Sequence, residues 1–277
     1  MPRPSDAEVE QRRQAVLRYV IERGQARIDQ LTRRFGVSLM TMHRDLDELA
    51  ERRLLRKLRG RVEAYPALTM ETAKRFRETL NVEVKEMLAE VAAGEVRTGT
   101  TVFLDDSTTL FPLARKLIGP LLVITNSLEV ARILGDTAGV DVILLGGRYT
   151  EFDSCAGPET VAALGRTSAD IGFVSATALA RGRLYHPVRD YADLKTAALG
   201  AASRNVLVVD HSKFGRTATH AYGDVGGYDL VITDEETASD ELSAMRELGV
   251  TVRVGRSRDN FGSATGRRSE VHGGSSL

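Results

Sequence analysis

The sequence predicts a mixed α/β protein: an N-terminal winged helix-turn-helix followed by an open, mostly parallel α/β domain. Three observations carry that prediction. In the first sixty positions apolar residues recur at the 3.6-residue helical period. After Gly99 the pattern changes to short Val/Ile/Leu-rich runs separated by helix-compatible stretches, the alternation expected of βαβ units. The composition, 42% hydrophobic and 27% charged over 277 residues, is that of a globular chain long enough for two domains, and it excludes a fibrous, collagenous or wholly disordered protein.

The elements follow in order. Val16, Leu17, Val20 and Ile21 mark a first helix ended by Gly24, and Ile28, Leu31 and Phe35 a second ended by Gly36. Met42, Leu46 and Leu49 mark a third, whose first turn Ser38 is placed to cap by accepting an orphan amide. The break Phe35-Gly36-Val37-Ser38 reads as the turn of a helix-turn-helix. Apolar residues at 54, 58 and 62 around a basic, glycine-containing tip predict a hairpin wing. Residues 71–95 turn acidic and helical, with Leu80, Val84, Met87, Leu88 and Val91 as the apolar face.

Seven apolar runs then predict buried parallel strands at residues 101–104, 121–125, 140–145, 171–174, 205–209, 230–233 and 250–254. Helices are expected between most of them, at 110–117, 128–134, 160–165, 190–202 and 238–248. The resulting division is a winged helix over 1–65, a helical connector over 66–98, an α/β ligand-binding domain over 99–255, and a disordered Gly/Ser-rich tail over 256–277.

Charge sharpens this division. The total is zero, but residues 1–61 hold 15 basic against 9 acidic side chains, +6, and the remainder holds 23 against 29, −6. A basic head on an acidic body is the asymmetry expected when one end meets phosphate. One cysteine, no apolar run of about 20 residues and no signal-peptide pattern predict a cytoplasmic protein without a membrane partner.

A helix starting near Ser38 with Met42, Leu46 and Leu49 turned inward presents Thr41, His43 and Arg44 outward, where a recognition helix enters the major groove of double-stranded DNA. Arg44 is suited to bidentate donation to guanine. Arg33, Arg34, Arg56, Lys57, Arg59 and Arg61 are suited to phosphates, which supply affinity without sequence choice.

In the body, polar residues gather at the ends of the predicted strands, where open α/β sheets bind ligands. Asp105-Asp106-Ser107-Thr108-Thr109 leaves the first strand and opens a helix, an anion site in principle. Thr125-Asn126-Ser127, Gly146-Gly147-Arg148 and Asp210-His211-Ser212-Lys213 follow later strands. The glycine pair permits close backbone approach, and Lys213 supplies a cation.

Two sets of residues resemble one family. Residues 12–58, through Phe35-Gly36-Val37-Ser38, Thr41-Met42-His43-Arg44-Asp45-Leu46 and Leu49, resemble the N-terminal domain of the DeoR-type bacterial transcription regulators. His43 takes the place of an arginine usual in that family, and Arg59-Gly60-Arg61-Val62-Glu63-Ala64 replaces the usual wing with a more basic one. Residues 84–254 resemble the C-terminal domain through Phe103-Leu104-Asp105 with Ser107-Thr108-Thr109, Thr125-Asn126-Ser127-Leu128, Leu144-Leu145-Gly146-Gly147, Asp193-Leu194-Lys195, Asp210 with Ser212-Lys213-Phe214-Gly215, and Ile232-Thr233-Asp234. The resemblance implies a fold shared with ribose-5-phosphate isomerases and CoA transferases. It implies a repressor of carbohydrate genes controlled by a phosphorylated sugar or related metabolite. It places Ser107, Thr108, Thr109, Asn126, Gly147, Lys195 and Lys213 in the effector pocket, with Asp105 and Asp210 near sugar hydroxyls. Asp106-Ser107 stands where the family has a small residue and glycine. An inward Asp106 would repel a dianion, and an outward one would not.

Cys155, His186, His211 and His220 lack metal-ligand spacing, so no metal and no cofactor are assigned. Ser212-Lys213 has no Gly-x-Ser-x-Gly elbow to make it a hydrolase dyad. The enzyme alternative is a sugar-phosphate isomerase using Asp105, Asp106 or Asp210 with Lys195 or Lys213, against which stands the basic winged helix. The expected partners are duplex operator DNA, a small-molecule effector and further copies of the chain, as a dimer or tetramer that presents paired recognition helices.

Overall fold

A computed structural model of the chain describes residues 6–23, 25–52, 54–64, 77–78 and 80–256. The expected tail lies outside these residues beyond Arg256, as does the first part of the connector.

The head contains three helices, α1 Asp6–Arg23, α2 Ile28–Phe35 and α3 Leu39–Glu51. Gly36 ends α2 in the left-handed region, with φ 62°, where a Cβ would be strained. Val16, Leu17, Val20, Leu31, Met42, Leu46 and Leu49 form one buried cluster, so the helical periodicity marks the faces that pack. The wing is present as β2 Leu55–Leu58 and β3 Arg61–Ala64. The sequence reading lacked a third strand, β1 Gln25–Arg27, which pairs antiparallel with β3. Three residues are too few to show a period, and only the pairing makes them a strand.

Within the described part of the connector, Arg77 and Glu78 are helical and α4 spans Val82–Ala93. Asn81, with φ 51°, stands before it. Leu88, Ala89 and Ala92 bury its inner face against the body's sheet.

All seven predicted body strands form one parallel sheet. They are β4 Thr101–Leu104, β5 Leu121–Thr125, β6 Val140–Leu144, β9 Ile171–Val174, β12 Asn205–Val208, β14 Leu230–Asp234 and β15 Thr251–Gly255, in the order β15-β14-β12-β9-β4-β5-β6. Helices α5 Phe111–Lys116 and α6 Leu128–Leu134 join α4 on one face. Helices α7 Pro158–Leu164, α8 Arg189–Ala201 and α9 Ser239–Glu247 cover the other. Alternation within each strand feeds both layers: Val206 and Val208 pack into one cluster, Leu207 and Val209 into the other. Two-sided burial explains the continuous apolar runs of the inner strands. The edge strand β6, expected to be buried, leaves Ile143 and Leu144 41% and 42% exposed because it has a neighbour on one side only.

Absent from the sequence reading are the hairpin β7 Arg148–Thr150 with β8 Ser154–Ala156, and the small antiparallel sheet β10 Ala178–Ala180, β11 Arg183–His186 and β13 His220–Asp224. These short strands mix charged, aromatic and small residues. They cover one end of the parallel sheet and supply residues to the site there.

Candidate functional site: a DNA-facing head and a cleft at the strand ends

Ser38 stands in extended conformation before α3, and its Oγ accepts the Thr41 amide at 3.1 Å. This cap sets the start of the helix, and with it the residues that face outward. Arg44 is exposed and Met42 buried, as the helical step requires. Leu39 and Met40, 56% and 68% exposed, stand at the helix tip beside Thr41. Asp45 shares the inner face with Met42 and Leu49, and there it accepts from Arg12 at 2.7 Å and Arg13 at 3.1 Å of α1. Part of the head's positive charge therefore holds the helices together instead of facing a partner. A carboxylate on the apolar stripe is the sequence signal for such an internal pair.

The predicted phosphate contacts divide in the same way. Lys57 is bonded to Asp47, with its Nζ 3.3 Å from His43 Nδ1. Arg56 pairs with Glu63 at 2.8 Å, and Arg33 with Asp29 at 3.1 Å. Arg34 lies over the Tyr19 ring, 4.6 Å from its centroid. Arg59 and Arg61 line an open hollow beside the wing with Arg27, a basic residue the sequence reading passed over. Arg61 also lies 3.6 Å from Glu63.

In the body, the chain runs from β4 outward to β5 and β6, then returns to β9 on the other side of β4 and continues to β12, β14 and β15. The reversal of strand order lies between β4 and β9, where a crevice opens at the carboxyl ends. Asp105 follows β4 and Ser175 follows β9. Asp105 accepts from the Ser107 amide at 2.9 Å, the Ser175 amide at 3.1 Å and the Lys195 ammonium of α8. Lys195 donates in addition to the Ser175 carbonyl at 2.9 Å and to Ser107 Oγ at 3.3 Å. Both charges are buried, so each is tolerable only because the other and these hydrogen bonds satisfy it.

A narrow polar cleft opens over this pair, lined by Arg77, Asp106, Ser107, Phe152, His186, Tyr191 and Lys195. Asp106 faces it and accepts from Ser154 Oγ at 2.8 Å, and the Tyr191 hydroxyl lies 2.7 Å from the same Ser154 oxygen. Burial, with Asp106 nearby, holds the Tyr191 phenol well above its usual range, so it remains a neutral hydrogen-bonding group. Arg77, Phe152, Ser154, His186 and Tyr191 carried no sequence signal of a site. They come from the connector, the β7–β8 hairpin, β11 and α8, and only the fold gathers them.

Of the predicted pocket residues, Ser107 and Lys195 line this cleft together. The others lie beside this cleft or are bonded to protein. Asp105 accepts from Lys195 and two amides beneath the cleft. Asn126 is fully buried and donates to the Cys155 carbonyl at 3.1 Å, tying β5 to the hairpin. Gly147, with φ 129°, admits Thr160 of α7, whose Oγ1 would lie 2.1 Å from an added Cβ; its close approach is to protein, not ligand. Thr109 is buried, and Thr108 meets the Lys85 ammonium at 3.3 Å.

Asp210 and Lys213 belong to a neighbouring group. Asp210 accepts from Asn81 Nδ2 at 3.0 Å and from Ser212, and Lys213 Nζ lies 3.9 Å away. Burial disfavours the Asp210 charge, but Lys213 and the Ser212 bonds outweigh it and hold the carboxyl below its usual range. Lys85 is also buried. Desolvation and then Lys213 bring its pKa down to about 7. Its Nζ donates to the Arg77 carbonyl. Among the described residues no cluster of metal-ligating side chains occurs, and no helix is long and apolar enough to cross a membrane.

The chain matches the DeoR-like helix-turn-helix domain over residues 12–66 and the DeoR C terminal sensor domain over residues 80–235. It is similar to the glycerol-3-phosphate regulon repressor of Escherichia coli (strain K12), 32% identical over 86% of this chain and 94% of that one. It is similar also to the HTH-type transcriptional regulator GlpR of Haloferax volcanii, 31% identical over 90% of this chain and 98% of that one. Among solved structures it overlaps a ribose 5-phosphate isomerase from Methanocaldococcus jannaschii at 17% identity and a TM-score of 0.36, covering 48% of this chain and 55% of the other, too loosely for argument. On the two domain matches and the full-length relatives, this chain belongs to the DeoR family of transcription regulators.

Proposed function

We propose that the chain is a ligand-responsive transcription repressor of carbohydrate-metabolism genes, with residues 1–65 holding operator DNA, residues 99–255 binding a small phosphorylated metabolite and residues 66–98 joining the two. The observation that carries this reading is the pairing, in one chain, of a capped helix with exposed Arg44 and a polar cleft with an ammonium at the sheet's switch point. The relative that represses a glycerol-3-phosphate regulon supports a phosphate-bearing effector.

On the DNA side, Ser38, Thr41, His43 and Arg44 face the bases. Leu39 and Met40 stand beside them, suited to apolar contact with thymine methyl groups. Arg33, Arg34, Arg56, Lys57, Arg59 and Arg61 follow the phosphates, Arg59 and Arg61 from the wing. A dimer or tetramer places two recognition helices on repeated half-sites about 10 base pairs, or a multiple, apart. On the effector side, Ser107 and Lys195 are the first-choice contacts, with Asp105 holding Lys195 in place. Thr108, Asp210 and Lys213 act at the connector junction behind the cleft.

The test is to select bound duplexes from a random pool with the full chain, then challenge the complex with small sugars and polyols with and without phosphate. Repeated half-sites and release by a phosphorylated compound are expected. Failure to enrich any sequence overturns the DNA reading, and release only by unphosphorylated compounds overturns the effector class.

A further inference from the structure

The cleft is completed by a residue that does not belong to the sensor sheet. Its charges explain why that matters. Lys195 is matched by the buried Asp105, and Asp106 brings a second carboxylate to the cleft. Ser154 donates to that carboxylate and is itself hydrogen-bonded to the Tyr191 hydroxyl, and His186 turns its Nδ1 to the Val188 backbone. Among its permanently charged groups the body contributes one ammonium against the two carboxylates, an excess of negative charge that disfavours an anion. The compensating cation is Arg77, from the segment that precedes α4.

That segment is attached at three points within five residues. Arg77 reaches the cleft, and its carbonyl accepts from Lys85 of α4. Leu80 packs against the hydrophobic cluster of the head. Asn81 donates to Asp210 at the end of β12. A ligand drawing on Arg77 therefore acts on backbone that touches both head and body.

We propose that Arg77 is an effector-binding residue: with Ser107 and Lys195 it takes the anionic group of a small phosphate monoester, so that the connector to the DNA-binding head completes the site. This rests on the reading of the cleft as the effector pocket and adds to it the group that makes an anion acceptable there. Asp106 then selects for the ligand's hydroxyls, since a carboxylate accepts hydrogen bonds that a dianionic phosphate monoester group has no proton to donate.

The test uses the full chain and two probes, inorganic phosphate and glycerol 3-phosphate, with glycerol and potassium chloride of equal ionic strength as controls. Affinity is read from thermal stabilisation, which grows as RT ln(1 + [L]/Kd). Arg77→Gln is expected to weaken both phosphate probes at least tenfold, Arg77→Lys to recover part of that loss, and Asp106→Asn to tighten inorganic phosphate. Loss of phosphate binding in Ser107→Ala with no change in Arg77→Gln or Arg77→Lys overturns the role of Arg77 and leaves the pocket standing. A wild-type chain stabilised by neither phosphate probe beyond the chloride control overturns the pocket and this proposal together. Should Arg77→Gln fail to fold, the Arg77→Lys and Asp106→Asn responses decide: unchanged phosphate affinity in both rejects the charge argument.

Discussion

Lys195 and Asp105 form an ion pair whose side chains are only 4% and 2% exposed, joining α8 to the carboxyl end of β4 directly beneath the cleft. Removing either partner strands the other charge. Asp105→Asn and Lys195→Met are each expected to cost about 3–5 kcal/mol, measured as a fall in the urea midpoint. The double variant Asp105→Leu with Lys195→Met should be less unstable than the sum of the singles. Additive losses would show that the two charges are satisfied independently.

The head makes a distinction between choice and affinity. Arg44→Ala should relax sequence preference by about 1–3 kcal/mol at one base position, whereas Arg59→Ala should weaken binding to every sequence and reduce the salt slope by about one. Fluorescence anisotropy on selected and scrambled duplexes over a salt series separates the two. Identical behaviour of the variants would reject the division.

Lys85 gives stability a defined pH dependence. Its folded pKa is lowered to about 7 against 10.5 for a free lysine. Between those values the unfolded chain holds a proton that the folded chain has released, so stability rises with pH across that window and is lost as pH falls through about 7. Lys85→Met lacks this slope. From pH 7 to pH 9 the wild type should gain about 1–2 kcal/mol relative to the variant in urea unfolding. Parallel pH profiles would contradict the burial of this ammonium.

Gly147 and Gly146 offer a paired test of packing. A methyl at Gly147 meets Thr160 Oγ1 at 2.1 Å in a backbone of φ 129°, while a methyl at Gly146 meets nothing within 4 Å. Gly147→Ala should cost about 1–3 kcal/mol of overpacking, and Gly146→Ala should stay close to wild type in thermal unfolding. Equal stability of the two would mean that α7 yields to the added carbon.

Legibility followed the range of the forces involved. Helical stripes in the head and the apolar runs of the inner body strands are local patterns imposed by burial, and all seven runs form strands, although the edge strands β6 and β15 are partly exposed. Gly36 and Ser38 act within a few residues of their position in the chain, so turn and cap were readable too. Strands of three residues, such as Gln25–Arg27 and Arg148–Thr150, carry no period and exist only through their partners. The protein neighbours of strand-end residues were equally illegible: Thr160 packs on Gly147, and the Cys155 carbonyl accepts from Asn126 Nδ2.

By itself the sequence determined the order of the elements, the parallel sheet and the division of charge into a basic head and an acidic body, because each is written in local periodicity or composition. Only the tertiary structure decided how the charges are grouped. Asp45 turned two arginines inward, Asp105 matched Lys195, and Asp106 and Arg77 came to line one cleft. Pairing energies fall off within a few ångströms, so whether a charge recognises a partner or neutralises a neighbour depends on distances that no one-dimensional pattern contains.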